Sequence, residues 1–239
     1  MKKMSYMIGL LCLMNYLPAI GQGFISPIDN DNISVILNQE CIVKLASGDE
    51  VKGVLKSASL INGYLSGFSV RLENGEKAKF KPADIEKLSI KASKLAKLTM
   101  MAESTGSIKE MTNTNFDEIV NRQYIVYLTA MRANNAGKLR LMQLLNPGFD
   151  SKIQVYADPN AKETKGIGMG GIKVTGGVEK SYLFVENNEK AVLVKKGKYK
   201  KSFDELYANC PKMLSVFEGE KTKWNDAAGH VFAYDQSCK

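Results

Sequence analysis

A single histidine, His230, serves the whole chain of 239 residues, and that scarcity removes much acid–base and metal chemistry. A zinc site draws on several Cys and His ligands, so zinc is poorly supported. A Ser-His-Asp triad would rest on His230 alone, and no GxSxG elbow accompanies it. There is no CxxC pair, no internal repeat and no low-complexity tract. Past the first 21 residues no stretch approaches the ~20 apolar residues of a membrane span. The remaining chain offers no recognisable catalytic motif, and no cofactor is expected.

The N-terminus is the most informative stretch. Met1-Lys2-Lys3 precedes a largely apolar run from Met4 to Ile20, and Ala19-Ile20-Gly21 forms a small-x-small site. This is the pattern of a secretory signal peptide cleaved after Gly21. Asn15 and Pro18 break the run against an anchor reading. Leu10-Leu11-Cys12 lacks the small residues that usually precede a lipidated cysteine. The expected location is exported: periplasm, outer-membrane periphery or extracellular.

Cleavage leaves Cys41, Cys210 and Cys238. An odd count outside the cytosol reads as one bridge and one leftover thiol. Cys210 and Cys238 share the C-terminal segment and are the expected pair. Cys41 opens an apolar strand and reads as a small buried hydrophobe.

The formal charge is +8, or +6 once Lys2 and Lys3 are removed. A basic balance favours nucleic acid, anionic lipid or acidic polysaccharide. The lysines are mostly scattered, which reads as a solvated surface, and export argues against nucleic acid. One dense cluster stands out: Lys195, Lys196, Lys198, Tyr199, Lys200 and Lys201. It is the candidate contact surface, suited to anionic headgroups or acidic glycan. A lysine-guarded edge strand explains the same residues.

Residues 22–39 read as an extended lead-in. Residues 40–90 read as a run of short strands with tight turns. Ser47-Gly48-Asp49 turns the first, Phe68 to Leu72 alternates with period two, and Asn74-Gly75 signals a hairpin. Such spacing suggests a small SH3- or Sm-like barrel. Residues 91–114 read as helix and linker, with Leu95, Leu98 and Ala102 on one helical stripe and lysines elsewhere. Asn113 to Asn115 would cap a turn of helix from Phe116 to Asn121.

Residues 115–239 read as a β-rich, sandwich-like domain closed by helices. Several strands there are apolar on both faces, as in a sandwich interior or a helix-covered sheet. Ser202 would cap a helix from Phe203 to Asn209. Trp224, Ala227, Val231, Tyr234 and Cys238 share one later helical stripe. The fold class is therefore mainly β with a helical C-terminal cap.

Gln143-Leu144-Leu145-Asn146-Pro147-Gly148-Phe149-Asp150, Val155-Tyr156-Ala157-Asp158-Pro159 and Gly170-Gly171-Ile172-Lys173-Val174-Thr175-Gly176-Gly177 follow one another at distinctive spacing. With Lys180-Ser181-Tyr182, Asn209-Cys210-Pro211, Tyr234 and Cys238, they resemble a family of exported envelope proteins of Bacteroidetes-type bacteria without an established activity. The resemblance covers about residues 138–238. It implies export and carries over no catalytic residue.

Other candidates have plainer readings. Gly166 to Gly171 matches GxGxxG, but the next residues read as strand where a dinucleotide loop needs a helix. His230 reads as structural or surface, with Asp226 four residues earlier as a local partner. Cys210 reads as a bridge before it reads as a nucleophile. Asp49-Glu50, Asp117-Glu118 and Asp204-Glu205 are adjacent pairs that point to different faces. Tyr124, Tyr127, Tyr156, Tyr182, Phe184 and Tyr199 would form either a binding platform or core, and core is favoured.

The expected function is a non-catalytic envelope or surface module binding a protein, glycan or membrane component. One alternative is an envelope-polymer hydrolase, which needs two facing carboxylates in a cleft. The other is a basic nucleic-acid binder, which requires steeply salt-dependent affinity.

Overall fold

The computed structural model describes residues 23–25, 27–28, 30–98, 122–131, 138–161, 167–169, 172–175, 181–186, 191–218 and 222–238. The expected signal peptide and the expected helix from Phe116 to Asn121 lie outside the described residues.

A meander opens the fold: β1 (Glu40–Leu45), β2 (Glu50–Ile61), β3 (Tyr64–Leu72), β4 (Lys77–Phe80) and β5 (Ile85–Lys91). Its turns follow local chemistry. Gly48 and Gly75 take φ of 95° and 86°, which glycine adopts freely. Asn62 and Gly63 both take positive φ, the two-residue hairpin geometry whose twist matches the flanking strands. Before β5, the Asp84 carboxylate accepts the Lys81 N–H at 2.7 Å and fixes the turn at Pro82–Asp84. Gly53 lies where β2 passes close to β3, and a Cβ there would collide with the Arg71 carbonyl.

The barrel does not end with β5. Strands β6 (Tyr124–Met131) and β7 (Leu139–Gln143) join the same sheet. The order runs β2, β1, β5, β6, β7, β3, and β3 pairs back to β2, which closes six antiparallel strands. Five strands at 40–90 were expected to close by themselves. Instead the two strands from the stretch expected to begin a sandwich complete the wall, and β4 extends β3 outside the ring. Inside lie Cys41, Val43, Leu55, Leu65, Phe68, Val70, Leu88, Ile90, Ile125 and Leu141.

The lead-in is built into this core. Val35 and Ile36, in the 3-10 turn Asn30–Ile36, pack with the barrel interior. Ile28 donates its N–H to the Gln143 side chain at 2.8 Å, and Ile25 donates to the Leu145 carbonyl at 2.9 Å. Phe24 reaches a different core, edge-on to Tyr182. The expected connecting helix is helical at 94–98. Its core-facing residue is Ala96, whereas Leu95 and Leu98 are each 60% exposed. The small side chain lets the turn sit close against the barrel end.

In place of a sandwich, β8 (Ile153–Ala157), β11 (Ser181–Glu186) and β12 (Val192–Lys195) form a three-stranded antiparallel sheet. One face meets the outside of the barrel: Tyr156, Leu183, Val185 and Leu193 pack with Val126, Leu128 and Met142. The other face, with Val155, Phe184 and Val194, packs with helices α1 (Tyr199–Leu206), α2 (Pro211–Val216) and α3 (Ala227–Ser237). Burial on both faces explains why β6, β8 and β11 lack simple alternation. Strands β9 (Ile167–Met169) and β10 (Ile172–Thr175) form a separate hairpin.

Candidate functional site

The lysine cluster follows a frame of three elements. Lys195 ends β12, a 3-10 turn spans Lys196–Lys198, and α1 begins at Tyr199, earlier than the Ser202 start expected from capping. The helix opens on Tyr199, whose side chain is drawn into the core. It is 1% exposed and belongs to the interior. Lys195, Lys198, Lys200 and Lys201 are exposed, and Lys196 is half-buried. Among the described residues, Lys195, Lys198, Lys200 and Lys201 have no ion-pair partner; the pairs there are Lys44 with Glu86 and Lys91 with Glu40.

Beneath this edge lies a buried polar network in an aromatic shell. The Tyr199 hydroxyl sits 2.9 Å from His230 Nδ1 and 3.1 Å from the Tyr207 hydroxyl. Phe217 and Phe203 meet the imidazole edge-on, with centroids at 4.7 and 5.0 Å. Burial lowers the His230 pKa to about 4, against a smaller upward pull from Asp226. Burial raises Tyr199 and Tyr207 above the ordinary phenol range. At neutral pH the three groups are uncharged, and the two hydroxyls and His230 Nδ1 bond one another. His230 is buried, with Tyr199 as its partner in place of the expected Asp226. Of the anticipated stripe, Trp224, Ala227, Val231 and Tyr234 are buried and Cys238 is half-buried.

Cys210 and Cys238 are bridged, with Cα atoms 5.6 Å apart. Cys41 is a buried free thiol whose pKa burial raises to about 11. A shallow cleft of about 550 Å³ opens between α1 and α2, floored by Phe203 and Phe217 and rimmed by Lys200, Asp204 and Glu218. Of the platform candidates, Tyr127, Tyr156, Phe184 and Tyr199 are core and Tyr182 is half-buried. Tyr124 alone of the six is exposed. Within the GxGxxG spacing Ile167–Met169 is strand β9, and strand β10 follows it from Ile172.

Several polar residues of the distinctive sequence blocks tie elements together. Asn146 is fully buried; its amide donates to the Phe149 and Ile153 carbonyls, and its oxygen accepts the Val155 N–H, all at 2.8 Å. This clamp fastens the end of β7 to β8. Asp158 accepts the Ser181 hydroxyl at 2.8 Å, tying β8 to β11. Glu186 accepts Tyr234 Oη at 2.6 Å and Asn209 Nδ2 at 3.1 Å, joining β11 to the helical layer. Sequence reasoning missed the clamp. Among the described residues no group of three His, Cys, Asp or Glu is arranged to hold a metal ion. None of the described helices is long and apolar enough to cross a membrane.

Comparison with protein-family models, curated proteins and solved structures finds no match to this chain.

Proposed function

We propose that this chain is an exported, non-catalytic module of the cell envelope or surface. In this reading it contacts an anionic protein, glycan or membrane component through Lys195, Lys198, Lys200 and Lys201. The observation that carries the reading is the exposure of these four lysines without ion-pair partners among the described residues. A folded frame presents them, with Tyr199 as the anchor beneath. Four like charges held together attract an anionic surface more strongly than scattered ones.

The commitments of other groups support a binding role. His230 is neutral and enclosed, Cys210 is bridged, and the polar residues of the distinctive blocks clamp one layer to the next. In this proposal the β1–β5 meander is an SH3- or Sm-like unit enlarged by β6 and β7. The likeness of residues 138–238 to exported envelope proteins belongs to the same reading, as does the N-terminal signal.

Fractionation and crosslinking of producing cells test it. The processed protein is expected in the envelope fraction, released by salt and crosslinked there to a discrete component. A variant combining Lys195→Gln, Lys198→Gln, Lys200→Gln and Lys201→Gln should lose that crosslink while keeping its melting temperature. A wild-type protein confined to the cytosol, or an unchanged crosslink in the variant, defeats the proposal.

A further inference from the structure

We propose that the helical turn at 94–98, with Tyr124 beside it, is a second surface that rests on an anionic lipid bilayer. This goes beyond the lysine edge and uses different residues. Exposed large apolar side chains among the described residues are Ile61, Leu95, Leu98, Tyr124, Val192 and Val216. Three of these six lie on neighbouring stretches: Tyr124 opens β6, and the turn with Leu95 and Leu98 follows β5, the strand paired with it. Leu95 and Leu98 share one face of a helical turn, three residues apart. Tyr124 is the β6 partner of Lys91, and Ala92 donates to the neighbouring Gln123 carbonyl at 2.8 Å. The turn therefore begins beside Tyr124.

The patch is held on a fixed base. Ala96 is fully buried against the barrel core. The Ser93 hydroxyl accepts the Ala96 N–H at 3.0 Å and donates to the Val35 carbonyl at 3.2 Å. The leucines thus point outward because the opposite side of the turn is docked. Had the stripe served the core, Leu95 or Leu98 would occupy the position that Ala96 takes.

Charge selects the occupant. From residue 87 to 98 the chain carries Lys87, Lys91, Lys94 and Lys97 and no acidic residue. Lys91 is engaged with Glu40 at 2.8 Å, whereas Lys94 is exposed. The centre of a protein–protein interface is depleted of lysine. Lysine interleaved with leucine suits a bilayer boundary, with ammonium groups at headgroup level and leucines below it. A tyrosine with an apolar ring and a polar tip favours the same depth. Two leucines and a tyrosine bury too little for a permanent anchor, so the contact is reversible.

Vesicle flotation of the processed protein tests this, using phosphatidylcholine with or without about 30 mol % phosphatidylglycerol. The protein is expected to float with the anionic vesicles and far less with the neutral ones. Leu95→Ser with Leu98→Ser should weaken flotation by roughly tenfold. Both residues are exposed, and an unchanged melting temperature will confirm that the variant folds. A fluorophore on Leu98→Cys should shift to the blue on anionic vesicles; Cys41 is buried and the other two cysteines are bridged, so labelling is selective. Absence of flotation overturns the proposal, as does equal flotation of the serine variant. So does a dimer in free solution that the serine pair dissolves. If only the fourfold Lys195–Lys201 glutamine variant stops flotation, lipid binds at the lysine edge; this inference then fails while the proposed function stands.

Discussion

At the scale of single residues, Asn146 and His230 show two ways to keep polar atoms inside a core. Asn146 meets three backbone groups at once, so alanine there removes three hydrogen bonds and strands buried partners. Denaturant unfolding of Asn146→Ala should show a loss of roughly 3–4 kcal/mol, since each net bond contributes ~1 kcal/mol and each orphaned group costs more. His230 is held by its neutral form. Its imidazole binds a proton near pH 4 when folded and near 6.5 when unfolded. Between those values the unfolded chain holds more protons, so stability is intact above pH 6.5 and declines as pH falls towards 4. The full loss from this one group is roughly 3 kcal/mol. His230→Phe keeps a ring in the aromatic shell and should flatten that decline; an unchanged pH profile would assign the acid sensitivity elsewhere.

Among the elements, the C-terminal helices depend on a covalent tie and one polar junction. The Cys210–Cys238 bridge spans 28 residues and joins the start of α2 to the end of α3. Closing a loop of that size stabilises the folded state by roughly 3–4 kcal/mol in the chain-entropy model. Cys210→Ser should lower the melting temperature under oxidising conditions. The parent protein should fall to a similar value in reductant, with no further fall for the variant. Unchanged melting with free thiols at both positions would remove the bridge from the account. The lysine edge belongs to this scale too. Its turn from strand to helix presents the ammonium groups while Tyr199 anchors them from below.

For the whole molecule, barrel, three-stranded sheet and helices form successive layers with shared cores. β6 contributes Ile125 and Tyr127 to the barrel interior, and Val126 and Leu128 to the contact with the sheet. The barrel therefore has no finished wall without residues from beyond position 121. A fragment of residues 22–98 should give no cooperative melt and a poorly dispersed amide spectrum. A sharp transition in that fragment would show that the first five strands suffice. Phe24 and Ile36 extend the same argument, because one short segment enters both the helix-side core and the barrel core.

Local chemistry in the sequence determined the turns at Gly48, Asn74-Gly75 and Pro82–Asp84, the buried stripe of α3 and the Cys210–Cys238 pair. Each depends on backbone preference, side-chain period or proximity along the chain. Asn62-Gly63 carries the same hairpin signal as Asn74-Gly75 and was not read as a turn. Tertiary structure alone decided that β6 and β7 close the barrel, since apolar residues on both faces fit several partners. It also set Tyr199 inward from a lysine run, chose Ala96 over Leu95 for the core, and paired His230 with Tyr199. Those outcomes depend on which surfaces meet across long sequence separations, and no local pattern encodes that choice.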